Sequence, residues 1–183
     1  MISVITATML PERAERLAQA IASVQGQTLQ PSEHLIGVDY LRKGGARVYN
    51  QLAAGASGDW LATLPDDDVL FPDHLASLHE LTDGADVVYS WAEVSGDDPW
   101  LAYNQPFDPE LLRRLSIVSH VALIRTELVL DVGGWDLGRG YDWRFWVKAL
   151  DAGARFICLA RPTWRYRLDE RWGHESRPWL GAA

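Results

Sequence analysis

Residues 2–8, Ile2-Ser3-Val4-Ile5-Thr6-Ala7-Thr8, alternate and are rich in β-formers, which predicts a strand beginning almost at the first residue. Pro11 then opens a helix over 11–25, with Ala14, Leu17, Ile21 and Val24 along one face and Gly26 as its stop. A second strand is expected over 34–39, so the chain starts with a β-α-β unit: a parallel pair joined by a right-handed crossover. Gly44 and Gly45 end a polar loop, and 46–56 returns to the helical period through Val48, Leu52 and Ala56. The apolar run 59–64, bounded by Gly58 and Pro65, reads as a short buried strand. Thr8, Asp39 and Asp66 therefore all fall at C-terminal strand ends, the edge at which open α/β sheets bind ligands.

Further elements follow the same two periods. A helix over 72–81 buries Leu75, Leu78 and Leu81, and strands are expected over 86–94, 117–125, 155–160 and 164–167, the last two flanking Pro162. A short helix reaches Val132, and another spans 141–152 with Phe145, Trp146, Ala149 and Leu150 inward. The polar stretch 96–109 carries no regular signal and is a candidate specificity loop; the polar tail after residue 169 is expected to be loosely ordered.

The pattern breaks at Leu64-Pro65-Asp66-Asp67-Asp68-Val69-Leu70-Phe71-Pro72-Asp73-His74-Leu75. Three adjacent carboxylates repel, and a hard divalent cation such as Mg²⁺ or Mn²⁺, shared with substrate phosphates, is the usual means of keeping them ionised together. Taken alone, the run reads equally as an acidic turn capping the helix that Pro72 opens. An EF-hand is excluded, because Leu70 stands where an alternating ligand belongs and no glycine follows at the sixth position. Gly133, Gly134, Gly138 and Gly140 follow no strand and have the wrong spacing for a dinucleotide fingerprint. His74 and His79, five apart, do not share a helical face and read as surface or helix-end residues. Asp39 alone reads as a turn residue, Asp142 as an acid complementing a helix N-terminus, and His174 as a solvated tail histidine.

Composition narrows the classes. At 183 residues and 48% hydrophobic, the chain suffices for one domain with its own core. Seventeen Lys and Arg against 25 Asp and Glu give a net charge of −8, which argues against duplex binding while permitting a small phosphorylated ligand that brings a metal. The sole cysteine, Cys158, is expected in the core and supports no redox role. Most of the nine tryptophans should be core residues, with one or two available as platforms for a sugar ring. There is no apolar run of membrane-spanning length and no basic leader at the N-terminus, so a cytoplasmic location is expected.

The order of these motifs resembles the family 2 glycosyltransferases of the GT-A fold over roughly residues 2–168. Ser3-Val4-Ile5, Ala7-Thr8, Gln27-Thr28, Val38-Asp39, Asn50, Ala56-Ser57-Gly58-Asp59-Trp60 and the aspartate run are similar to that family's donor half. Gly133-Gly134-Trp135-Asp136 and Asp142-Trp143-Arg144-Phe145-Trp146 resemble its catalytic segment. The resemblance implies an α/β, Rossmann-like GT-A fold with a mixed, mainly parallel sheet flanked by helices. It implies one domain: about 1–95 as the nucleotide and metal half, about 96–168 as the acceptor and catalytic half, and 169–183 as a tail. It further implies Thr8, Asp39, Asn50 and Asp66 as donor-binding residues. Asp67, assisted by Asp68 and with His174 nearby, would be the metal side for Mn²⁺ or Mg²⁺, and Asp142 the general base of an inverting transfer from a nucleotide sugar, UDP-sugar first, to a glycan, small-molecule, protein or nucleobase acceptor. The chain departs from the family at Met9, where an aromatic residue stacks on the base, and at Tyr40, Pro65 and Tyr141, where acidic or small polar residues are usual. Two rivals stand beside this reading: a non-catalytic nucleotide-sugar-binding module, and a nucleotidyltransferase, which would want a glycine- and lysine-bearing loop where Thr8-Met9-Leu10-Pro11 stands.

Overall fold

The computed structural model describes residues 1–95 and 104–167. Seven strands form one sheet in the order β2-β1-β3-β6-β5-β7-β4: β1 (Ile2–Thr8), β2 (Glu33–Val38), β3 (Trp60–Thr63), β4 (Val69–Leu70), β5 (Val87–Ser95), β6 (Ala122–Arg125) and β7 (Phe156–Arg167). β1 pairs parallel with β2 and β3, and β5 pairs parallel with β7; β6 is antiparallel to both β3 and β5, and β4 to β7. Five strands thus point one way and β6 and β4 the other, so the sheet is mixed and mainly parallel.

Period-two alternation divides the sheet residues between two apolar layers. Ile2, Val4, Trp60, Ala62, Val88 and Leu123 face α1 (Ala14–Gln25) and α3 (His74–His79), which contribute Ala20, Val24, Leu75 and Leu78. Ile5, Leu61, Val87, Tyr89 and Ile124 face the other side, packed with α2 (Gly45–Gly55), α4 (Pro109–Leu112), α5 (Thr126–Asp131) and α6 (Tyr141–Asp151). Among the described residues, no helix is long and apolar enough to cross a membrane.

Several local expectations are corrected. Residues 117–121 are buried but not strand; only Ala122–Arg125 pairs, because the preceding backbone bends and bonds locally, the Ser119 hydroxyl donating to the Val121 carbonyl (2.8 Å). The two late strands are one, β7, whose register against β5 shifts on either side of the Trp91 and Pro162 pair; the bulge accommodates the proline without ending the strand. Cys158 is half-buried rather than a core residue. His74 is 1% exposed, its Nδ1 sharing a 2.6 Å hydrogen bond with the Thr163 hydroxyl, whereas His79 is exposed as expected. Of the expected surface or helix-end positions His74 takes the second, opening α3, but it is buried there because of a partner 89 residues away.

Candidate functional site

The aspartate run is a turn fixed at both ends. On entry the Leu64 amide donates to the Ile5 carbonyl (3.0 Å); on exit Val69 and Leu70 pair with Arg165 and Trp164 of β7, and the Phe71 amide donates to the Thr163 carbonyl (2.8 Å). Gln27, 4% exposed, ties the end of α1 to the start of α3: its Nε2 donates to the Phe71 carbonyl (2.7 Å) and its Oε1 accepts from the Leu75 amide (2.9 Å). None of the three aspartates caps a helix. β4 intervenes, and the residue at the N-cap of α3 is Asp73, whose side chain makes no cap bond. The helix-capping explanation of the run is therefore excluded.

Asp66 and Asp67 open onto a cleft of about 210 Å³ whose charged lining among the described residues is Arg13, Asp39, Asp66 and Asp67. The Arg13 Nη1 donates to the Asp66 Oδ1 (2.6 Å) and to the Asp67 Oδ2 (2.8 Å), bridging two consecutive carboxylates with one nitrogen. Asp66 is 3% exposed, and its second oxygen, Oδ2, is buried without a hydrogen-bond partner. Burial, reinforced by Asp66, pushes the Asp67 carboxyl above its ordinary range even though Arg13 pulls the other way. Burial works against the charge of Arg13, and the two carboxylates more than offset it. Thr8 also lines the cleft, its hydroxyl buried and unpartnered. Asp39 lines it from the end of β2, its Oδ2 accepting from the Gly44 amide (2.8 Å); Gly44 adopts φ +94, a conformation side-chain-bearing residues avoid. At Gly45, which lines the same wall, a Cβ would come within 3.1 Å of the Tyr49 ring.

The remaining candidates lie elsewhere. Asp68 does not line the cleft; it is buried on the β7 side, accepting from the Arg167 amide (3.3 Å), and burial with Asp67 alongside holds its carboxyl well above the usual range. Asn50 does not line the cleft either. Its Nδ2 donates to the Trp135 carbonyl and its Oδ1 accepts from the Trp135 amide, both at 2.8 Å, so its amide is engaged in bracing the 133–136 loop rather than facing a donor. Asp142 lies in the first turn of α6, its carboxyl raised by burial. Its neighbour Tyr141 does line the cleft, and the Tyr141 phenol is held protonated first by burial, then by the charges of Asp142, Asp67 and Asp66. His174 and the stretch 96–103 lie outside the described residues.

Sequence reading missed Arg13, Tyr49 and His120. Nothing in the sequence separates Arg13 from Arg16, since the partners that distinguish it are 53 and 54 residues away. His120 sits in the buried 117–121 segment, edge-on to Tyr49 (4.5 Å between ring centroids) and Tyr141 (5.4 Å), and burial lowers its pKa to about 3.

A divalent ion is compatible with this geometry. Mg²⁺ is commonly held by one or two carboxylates plus substrate phosphates, and Asp66 and Asp67 present two carboxylates at one point, with a buried Asp66 oxygen lacking a partner. Among the described residues no group of three or more metal-ligating side chains comes together.

No protein-family model matches the chain, and no curated protein matches it in sequence. Solved structures do. TarS residues 1–349 from S. aureus in complex with UDP gives a TM-score of 0.73 at 16% identity, over 91% of this chain and 60% of that one. Its complex with UDP-GlcNAc gives 0.74 at 16% identity, over 92% and 59%. The mannosyltransferase PcManGT from Pyrobaculum calidifontis, in complex with GDP-Man and Mn²⁺, gives 0.70 at 16% identity, over 94% and 58%. This chain spans less than two thirds of the length of each. The likeness is one of fold: the α/β GT-A arrangement expected from the sequence is the one found.

Proposed function

We propose that the chain is a glycosyltransferase of the family 2 type, moving a sugar with inversion from a nucleotide-diphosphate donor, UDP-sugar first, to an acceptor hydroxyl. The observation that carries this reading is the convergence of Thr8, Asp39, Asp66 and Asp67 on one cleft at the C-terminal edge of the sheet. The shared fold lends support, since similar structures hold UDP, UDP-GlcNAc or GDP-Man.

In this reading Thr8 and Asp39 receive the nucleoside and Asp66 the ribose side. The unpartnered Thr8 hydroxyl and Asp66 Oδ2 are the polar groups that a ligand would satisfy. Asp66 and Asp67 would hold Mn²⁺ or Mg²⁺, which at that place offsets the charge gathering on the departing diphosphate. Asp142 takes the proton of the acceptor hydroxyl as its oxygen attacks the anomeric carbon. A carboxylate whose pKa is raised by burial is a stronger base than a solvated one, which suits it to that task. Tyr141, which precedes Asp142 and lines the cleft, is uncharged and adds no negative charge there.

The donor site is tested by thermal unfolding against UDP-, GDP-, dTDP- and CMP-nucleotides and sugars, each with and without Mn²⁺. The expected result is a rise in Tm with one nucleotide class, abolished by Asp67→Ala. No rise with any nucleotide would sink the donor reading. Asp142→Asn is expected to retain donor binding while cutting transfer about 10²- to 10⁴-fold, the usual contribution of a positioned base. Unchanged transfer would leave Asp142 as a helix-end acid and the protein without its proposed base.

A further inference from the structure

Arg13 stands at the N-cap of α1, outside the regular helix, and reaches across the cleft to the aspartate turn. One nitrogen, Nη1, lies 2.6 Å from an Asp66 oxygen and 2.8 Å from an Asp67 oxygen. That is the point between the two carboxylates a bridging ion would take, and two cations do not share it. Charge counting gives the consequence. Among the described residues, three carboxylates, Asp39, Asp66 and Asp67, against one guanidinium leave the cleft lining at a formal −2, which opposes entry of a diphosphate. While bound to the pair, Arg13 has no surplus charge for phosphate. The Asp66 Oδ2, buried and unpartnered, shows that Arg13 does not satisfy the pair completely.

We propose that Arg13 is a resident counter-ion that exchanges with the divalent ion: the ion takes the Asp66–Asp67 oxygens, and the released guanidinium turns to the nucleotide phosphates. The inference rests on the proposed metal at this pair and goes beyond it by assigning a second cation to the same diphosphate. Ion binding brings the cleft lining from −2 to neutral and at the same time frees a planar donor suited to phosphate oxygens. Nucleotide and ion then bind with mutual reinforcement, and Arg13 contributes to that coupling.

The test is Mn²⁺ binding to the full chain, without nucleotide, followed by the electron paramagnetic resonance signal of the free ion. Removing a competitor strengthens the remaining binder, so Arg13→Gln is expected to bind Mn²⁺ about tenfold tighter than the unaltered chain. Equal or weaker Mn²⁺ affinity in a folded Arg13→Gln overturns the inference, as does absence of Mn²⁺ binding in both chains. A measurement on the unaltered chain covers the case in which the variant does not fold. In a ¹⁵N NMR titration with Mg²⁺, the Arg13 Nε resonance is expected to shift in step with ion binding, and a resonance unmoved at saturation overturns the proposal. These outcomes are separable from those of the donor reading. Tighter Mn²⁺ binding in Arg13→Gln with no nucleotide binding keeps the exchange and removes the donor site; nucleotide binding indifferent to Arg13 and to metal does the reverse.

Discussion

Asn50 gives both ends of its amide to one peptide unit, that of Trp135, at 2.8 Å each way. Asn50→Ala is expected to cost about 2 kcal/mol in chemical unfolding, because two bonds are lost and the Trp135 amide and carbonyl lose their partner. Gly134 belongs to the same brace. It adopts φ +67, and a Cβ there would lie 2.2 Å from the Asn50 Oδ1, so Gly134→Ala should destabilise by about 1–3 kcal/mol. His74 makes a pH prediction. Burial lowers its pKa from 6.5 to about 4, so the unfolded chain takes up a proton at a higher pH than the folded one. Its contribution is complete above pH 6.5 and declines as pH falls towards 4, reaching about 2 kcal/mol lost at pH 5. The carboxyls of Asp68 and Asp142, shifted upward, work in the opposite direction, so the readout is a comparison. The stability gap between the unaltered chain and His74→Asn should narrow between pH 7 and pH 5, and a constant gap would contradict a neutral, buried His74. At this scale the sequence was legible where chemistry is local. Adjacent aspartates announce themselves, whereas Arg13, Asn50 and His74 acquire their roles from partners more than fifty residues distant.

Elements were read more securely than their partners. The 3.6 period brought out α2 and α6, each with one buried face, and the run of β-formers brought out β1 and β5, which are buried on both faces. β4 escaped notice: two residues are too few to carry a period, and its identity depends on pairing with β7. The 117–121 segment misled for the opposite reason, being apolar throughout yet buried as a bend. The fit of α2 against β2 depends on Gly37, where a Cβ would stand 2.4 Å from the Val48 Cγ1. Gly37→Ala should therefore cost about 1–3 kcal/mol by overpacking, and Val48→Ala in the same chain should recover part of that loss. Additive effects of the two substitutions in urea unfolding would show that the β2–α2 contact is looser than described.

At the scale of the molecule, the two apolar layers each draw on both ends of the chain. One runs from Ile2 to Trp164 and the other from Ile5 to Trp146, with β6 uniting the strands between. Neither sequence half has a private core, so far-UV dichroism and tryptophan fluorescence should report one coincident unfolding transition, and two separated transitions would refute that view. Residues on either side of the 96–103 stretch thus contribute to both layers. Mainly parallel topology was foreseeable from the β-α-β start, but the reversal of β6 was not, since direction is decided by pairing and not by composition.

That reversal gives the molecule two poles. Because β6 runs against its neighbours, its approach through His120 arrives at the edge where Thr8, Asp39 and Asp66 end, while Asp86, Arg125 and Arg155 gather in ion pairs at the opposite edge. A tether, dye or solid support attached at Asp83 or Gly153, in the turns just before β5 and β7, would hold the protein by its far side and leave the cleft facing the solution. The strand directions thus amount to a mounting guide for any surface-coupled assay of this chain.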